Sequence, residues 1–86
     1  MKDIAIYGAG GFGKEVACLI KRVNNKAPQW NLIGFFDDGK EINTEISHYG
    51  KVLGGINELN KWGEKIAIVI AIGNPNIIKT IVDNID

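Results

Sequence analysis

The chain has one cysteine, two prolines, one histidine and no net charge. A lone thiol, Cys18, excludes an internal disulfide and a multi-cysteine zinc site. Ten Lys and Arg balance ten Asp and Glu, and neither half is skewed: residues 1–43 hold six basic and five acidic groups, residues 44–86 four and five. That excludes a strongly basic nucleic-acid clamp, a polybasic membrane anchor and an acidic tail. No apolar run approaches the roughly 18 residues of a membrane span. Met1-Lys2-Asp3 leads into an apolar stretch too brief for a signal peptide. The expectation is a soluble, cytoplasmic chain. At 86 residues, 45% apolar and 23% charged, it has the makings of one globular domain, not of a disordered segment.

What is present is an alternation of strand and helix patterns. Residues 3–7 form a short β-branched run that stops at Gly8. Glycines crowd at Gly8, Gly10, Gly11 and Gly13, and then Phe12, Val16, Leu19, Ile20 and Val23 recur at helical spacing, predicting a helix that stops at Asn24-Asn25. Leu32, Ile33, Phe35 and Phe36 predict a second strand, closed by Asp37-Asp38-Gly39. Residues 39–50 are polar without a clean period and read as a mobile loop. Lys51 to Leu53 predict a very short third strand, and Ile56 to Trp62 a weak helix. Ile66 to Ile72 is an uninterrupted apolar run, predicting a strand in the middle of a parallel sheet. Gly73 ends it, Asn74-Pro75 starts a further helix, and Ile77, Ile78, Ile81, Val82 and Ile85 give that helix an apolar stripe. The order β-α-β-(β)-α-β-α predicts an α/β fold: a small Rossmann-like, doubly wound parallel sheet of about four strands with helices on both faces. The last helix reaches Asp86 without a glycine or proline stop. This suggests a module of a longer polypeptide, although a small protein ending in a frayed helix also fits.

Gly8-Ala9-Gly10-Gly11-Phe12-Gly13 matches G-x-G-x-x-G. In such a loop the first glycine permits a tight turn, the second lets a pyrophosphate approach the backbone, and the third lets helix and strand pack closely. Amides at the helix start then hold the phosphate. The bland alternative is that the glycines serve packing alone. Lys14, in the first turn, approaches a phosphate in one reading and is a solvated lysine in the other. Asp37 and Asp38 end the second strand, 24 residues after Gly13. An acid there commonly binds a ribose and disfavours the 2′-phosphate of NADP. A solvated turn with Gly39 is the plainer reading for at least one of them. Gly73 and Asn74 fall at the same sheet edge, where ligands collect at a switch in strand order; Asn74 also reads as a simple helix cap.

His48 has no partner spacing for a triad or metal site and reads as surface, and nothing suggests an activated thiol at Cys18. Trp30, Trp62, Phe35 and Phe36 read as core or interface residues. No catalytic residue and no metal site is expected; the chain binds and does not visibly catalyse.

Four segments carry a family resemblance: Ile4 to Ala17 around the glycine loop, Gly34-Phe-Phe-Asp-Asp38, Gly50-Lys-Val-Leu-Gly-Gly55 and Ile70-Ala-Ile-Gly-Asn-Pro75. In order and spacing they resemble the N-terminal domain of bacterial sugar acetyltransferases, including sialic acid O-acetyltransferases and enzymes that N-acetylate UDP-linked 4-amino sugars. The resemblance covers essentially the whole chain. It implies a Rossmann-like unit that binds a nucleotide-sugar, typically UDP-linked, ahead of a hexapeptide-repeat left-handed β-helix. That second domain would trimerise, bind acetyl-CoA and supply the catalytic histidine. By resemblance, Gly8 to Gly13 face the phosphates, Asp37 and Asp38 the nucleoside, and Gly73-Asn74 the rim of the pocket. Phe12 stands where many members have histidine. No hexapeptide region is present in these residues, and His48 does not occupy the catalytic position.

The resulting expectation is the substrate-binding domain of an acetyl-CoA-dependent sugar O- or N-acetyltransferase. Two alternatives stay open: an NAD-binding module of an oxidoreductase or sensor, and a non-catalytic interaction domain that keeps the fold without a ligand.

Overall fold

The computed structural model describes residues 2–63 and 66–71. Strand β1 (Lys2–Tyr7) leads through the glycine loop into helix α1 (Gly11–Lys26), then β2 (Trp30–Phe36), β3 (Glu45–Ile46), β4 (Gly50–Gly54), helix α2 (Ile56–Asn60) and β5 (Ala67–Ile70). The five strands form one sheet in the order β3-β4-β2-β1-β5. All pairs are parallel except β3 with β4. This is the small α/β Rossmann-like sheet that the strand–helix alternation implies. Among the described residues, no helix is long and apolar enough to cross a membrane.

Alternation along β1 builds two cores. Ile4 and Ile6 point to one face with Ala17 and Ile20 of α1, Phe35, Ile46 and Val52. Ala5 and Tyr7 point to the other with Phe36 and Leu59 of α2. Helices therefore cover both faces, and β1 is buried from Ile4 to Tyr7. Along β2 the alternation breaks, because Leu32 pairs with Ile4 and Gly34, not Ile33, pairs with Ala5. The extra residue shifts the phase, as a β-bulge does, so Phe35 fills the α1-side core and Phe36 the α2-side core. Gly34 has φ +149°, and a Cβ there would lie 2.7 Å from the Lys51 carbonyl oxygen. The extra residue is Ile33, and the glycine that follows it supplies the positive φ and the clearance the bulge needs.

Three expectations change. The run from Ile66 forms β5 at a sheet edge among the described residues, not in the middle. An apolar run records that both faces are covered; it does not report whether both edges are paired. The polar stretch 39–50 is no featureless loop: β3 pairs with β4 in a short hairpin, and Ile46 is 3% exposed in the α1-side core. One buried side chain in a polar segment leaves no periodic signal. Finally, α1 does not bury the whole predicted stripe. Gly13, Ala17 and Ile20 are buried, whereas Phe12, Leu19 and Val23 are exposed. Small residues let the helix approach the sheet, which rotates the contact face towards them. The helix expected from Asn74, with Gly73 before it, lies outside the described residues.

The hairpin depends on Ile46. Ile46→Ala is expected to lower stability by about 2 kcal/mol, read by urea denaturation; an unchanged midpoint would mean that the hairpin contributes nothing to the core.

Candidate functional site

The carboxyl ends of β1, β2, β4 and β5 share one sheet edge, and β1 lies between β2 and β5. The chain leaves β1 towards β2 and later returns to the other side of β1 with β5, which makes the end of β1 the switch in strand order. The glycine loop occupies that point. Backbone bonds fix its start: Gly8 N–H donates to the Phe36 carbonyl at 2.8 Å, and Ala71 N–H donates to the Tyr7 carbonyl at 2.8 Å.

The four glycines separate by physical cause. Gly8 has φ +113°, a region that side chains disfavour. A Cβ on Gly13 would overlap the Gly8 carbonyl oxygen, so this glycine is required for the helix to pass close to the loop. Gly10 and Gly11 are different. Both are exposed, and no described atom lies within 4 Å of a Cβ built at either position. Gly10 is extended, with φ −83°, and caps α1 without any side-chain hydrogen bond. Lys14 N–H donates to the Gly10 carbonyl at 3.1 Å, while the leading amides of Gly11, Phe12 and Gly13 have no acceptor within the helix. Phe12 is 53% exposed beside them, and Lys14 is exposed in the same turn.

The acidic pair is built into the frame of the site. Asp37 Oδ2 accepts from Ala9 N–H at 2.8 Å, and its Oδ1 accepts from Gly39 N–H at 2.8 Å. Its own N–H donates to the Gly54 carbonyl at 2.8 Å. Asp38 accepts the Tyr7 hydroxyl on one oxygen and Ile56 N–H at 3.0 Å on the other. The second contact caps α2, whose N-cap, Gly55, has no side chain to do it. A Cβ on Gly55 would collide with the same Asp38 carboxylate. Glu58 completes the turn by accepting Gly55 N–H at 2.7 Å. Burial holds the Tyr7 phenol well above its ordinary pKa; the bond to Asp38 and the negative charges of Asp38, Asp37 and Glu58 add to the effect.

The structure therefore gathers Gly8, Gly10, Gly11, Phe12, Gly13, Lys14, Asp37 and Asp38 at one edge, while Gly73 and Asn74 lie outside the described residues. Tyr7 is the participant that sequence reasoning missed. The available signal was a hydroxyl ending an otherwise aliphatic buried strand, which needs a polar partner, next to a strand ending in two acids. His48 is exposed and stacks on Tyr49 at 4.2 Å. Cys18 is half-buried against Tyr49, whose phenol is raised by burial and by that thiol. Phe35 and Phe36 are fully buried, Trp30 packs against the α1-side core, and Trp62 meets Phe36 edge-on at 5.6 Å. No cluster suited to a metal ion occurs among the described residues.

Asp38→Ala should cost about 1–2 kcal/mol, because a helix cap and a hydroxyl acceptor go together. Tyr7→Phe, which leaves the cap in place, should cost less. Equal midpoints for the two variants in urea denaturation would contradict this division of roles. Gly13→Ala, forced against the Gly8 carbonyl, should cost about 1–3 kcal/mol in the same assay.

No curated protein matches the chain at a significant level. A family model does, and its match runs over residues 3–85, which takes in the glycine loop, the acidic pair and all five strands. The model is that of the PglD N-terminal domain, and PglD is an acetyltransferase of the sugar acetyltransferase family. On that match, over nearly its whole length, the chain belongs to the family of PglD N-terminal domains.

Proposed function

We propose that this domain binds the diphosphate of a nucleotide-linked sugar, of the UDP-sugar class, at the glycine loop. It would thereby present the sugar to an acetyl-CoA-dependent acetyltransferase centre carried elsewhere. The observation that carries the reading is the pair Gly10 and Gly11. Their backbone does not require glycine, and no described neighbour crowds them. A bare backbone at a helix start, on the switch edge of a parallel sheet, suits close approach by an anion. The contribution to the reaction is positioning: binding energy from the nucleotide fixes the acceptor atom of the sugar relative to the catalytic groups. In this reading Gly11, Phe12 and Gly13 supply amides, Lys14 adds charge, and Gly73 and Asn74 would belong to the rim of the pocket. Asp37 holds the loop through Ala9 N–H, and its remaining lone pairs are left for a nucleoside hydroxyl.

The same bonds do not separate the two ligands, because a uridine nucleotide and NAD both present ribose hydroxyls to Asp37. What favours the nucleotide-sugar over NAD is the family match over residues 3–85.

Calorimetric titration with UDP, with NAD as the paired control, tests the reading. Binding of UDP and not NAD is expected, and Gly10→Val should abolish it while leaving the chain folded, with a melting temperature lowered only by the poorer helix cap, because the new side chain projects into open space. Binding of NAD alone, or normal UDP binding by a folded Gly10→Val chain, would overturn the proposal.

A further inference from the structure

Helix α1 carries an apolar seam that none of the described residues covers. Phe12, Leu19 and Val23 are 53%, 57% and 42% exposed, and Val16 between them is half-buried. Their spacing of four, three and four residues is that of alternating d and a positions in a heptad, the repeat by which one helix packs along another. Lys26 takes the next d position and ends the seam. At about 100° per residue, the residues facing the sheet are Gly13, Ala17 and Ile20. Cys18 and Lys21 fall on one flank, where Lys21 Nζ stands 5.2 Å from the Tyr49 ring centroid. The seam is the opposite flank, turned away from the β3–β4 hairpin.

The charges beside the seam indicate its occupant. The two g positions are Glu15 and Arg22, exposed, opposite in sign and seven residues apart. When two copies of α1 lie antiparallel about a two-fold axis, a positions meet d positions across the seam and g positions meet g positions. Val16 then packs on Leu19 of the partner subunit, and Phe12 on Val23 of the partner subunit. The same register sets Glu15 against Arg22 of the partner subunit, twice by symmetry. A parallel pairing offers no such match, since g then faces e of the other helix, where Ile20 and Ala27 stand.

We propose that the seam is a self-association surface, and that two copies of this chain pair through antiparallel α1 helices. The apolar seam spans only the 12 residues from Phe12 to Val23, about 17 Å of helix, well short of what a standard-sized interface supplies. The dimer is accordingly weak, forming between micromolar and millimolar concentration.

Sedimentation equilibrium across that range, on the intact chain, tests it. The parent chain should move from 9.4 kDa towards twice that mass. Leu19→Glu should remove the association; because Leu19 is exposed, the fold should persist, as circular dichroism would show. Glu15→Arg alone, or Arg22→Glu alone, places like charges together at both contacts and should weaken dimerisation by about tenfold or more. The double reversal should restore it. A chain that stays monomeric throughout would overturn the proposal and leave the seam to another segment or partner. So would a dimer indifferent to Leu19→Glu, or single reversals that the double reversal does not rescue.

Discussion

Two carboxylates just after β2 tie together the glycine loop, the following turn, β1 and the start of α2 at the switch edge. A carboxylate accepts several hydrogen bonds, and here four donors from four segments converge on two adjacent side chains. Ala9 N–H comes from the glycine loop, Gly39 N–H from the turn, the hydroxyl from Tyr7 of β1, and Ile56 N–H from the start of α2. The geometry of the loop after β1 is therefore set from β2, which is possible because the strands are neighbours in register, Tyr7 opposite Phe36. Without the acids the loop would keep, among the described residues, only backbone bonds: Gly8 to Phe36, Ala71 to Tyr7 and Lys14 to Gly10.

That convergence also shows why the acidic pair was only partly legible in the sequence. Asp-Asp-Gly after an apolar run reads as a turn or as ribose chemistry, and both readings look outward. The inward roles depend on Tyr7 and Ile56, which lie 31 and 18 residues away from Asp38, and no local pattern links them. The strands, the first helix and the glycine loop were legible because their signals are local: a period, a β-branched run, a cluster of glycines. The hairpin rests on a single buried isoleucine. The sheet order rests on long-range pairing, which is why an apolar run alone points to the centre whereas β5 lies at an edge among the described residues. The bulge in β2 was announced by Gly34, although only the register shows which side chains it redirects.

Gly34 and Gly54 have positive φ and crowded surroundings, and Gly13 and Gly55 are crowded without it. Gly10 and Gly11 have neither constraint. A motif written as a string treats all its glycines alike. The coordinates divide them into those that serve the fold and those that leave backbone uncovered at the surface.

The capping of α2 from β2 has a consequence for the order of folding. Helix α1 runs 16 residues with its own local bonds, long enough to form early and with little loop entropy. Helix α2 has five residues and a glycine where a capping side chain would stand, far too few to persist alone. Its cap is delivered by Asp38 only after β2 and β4 align. The second helix is thus a late product of sheet assembly, and amide exchange in Ile56–Asn60 should track separation of those strands.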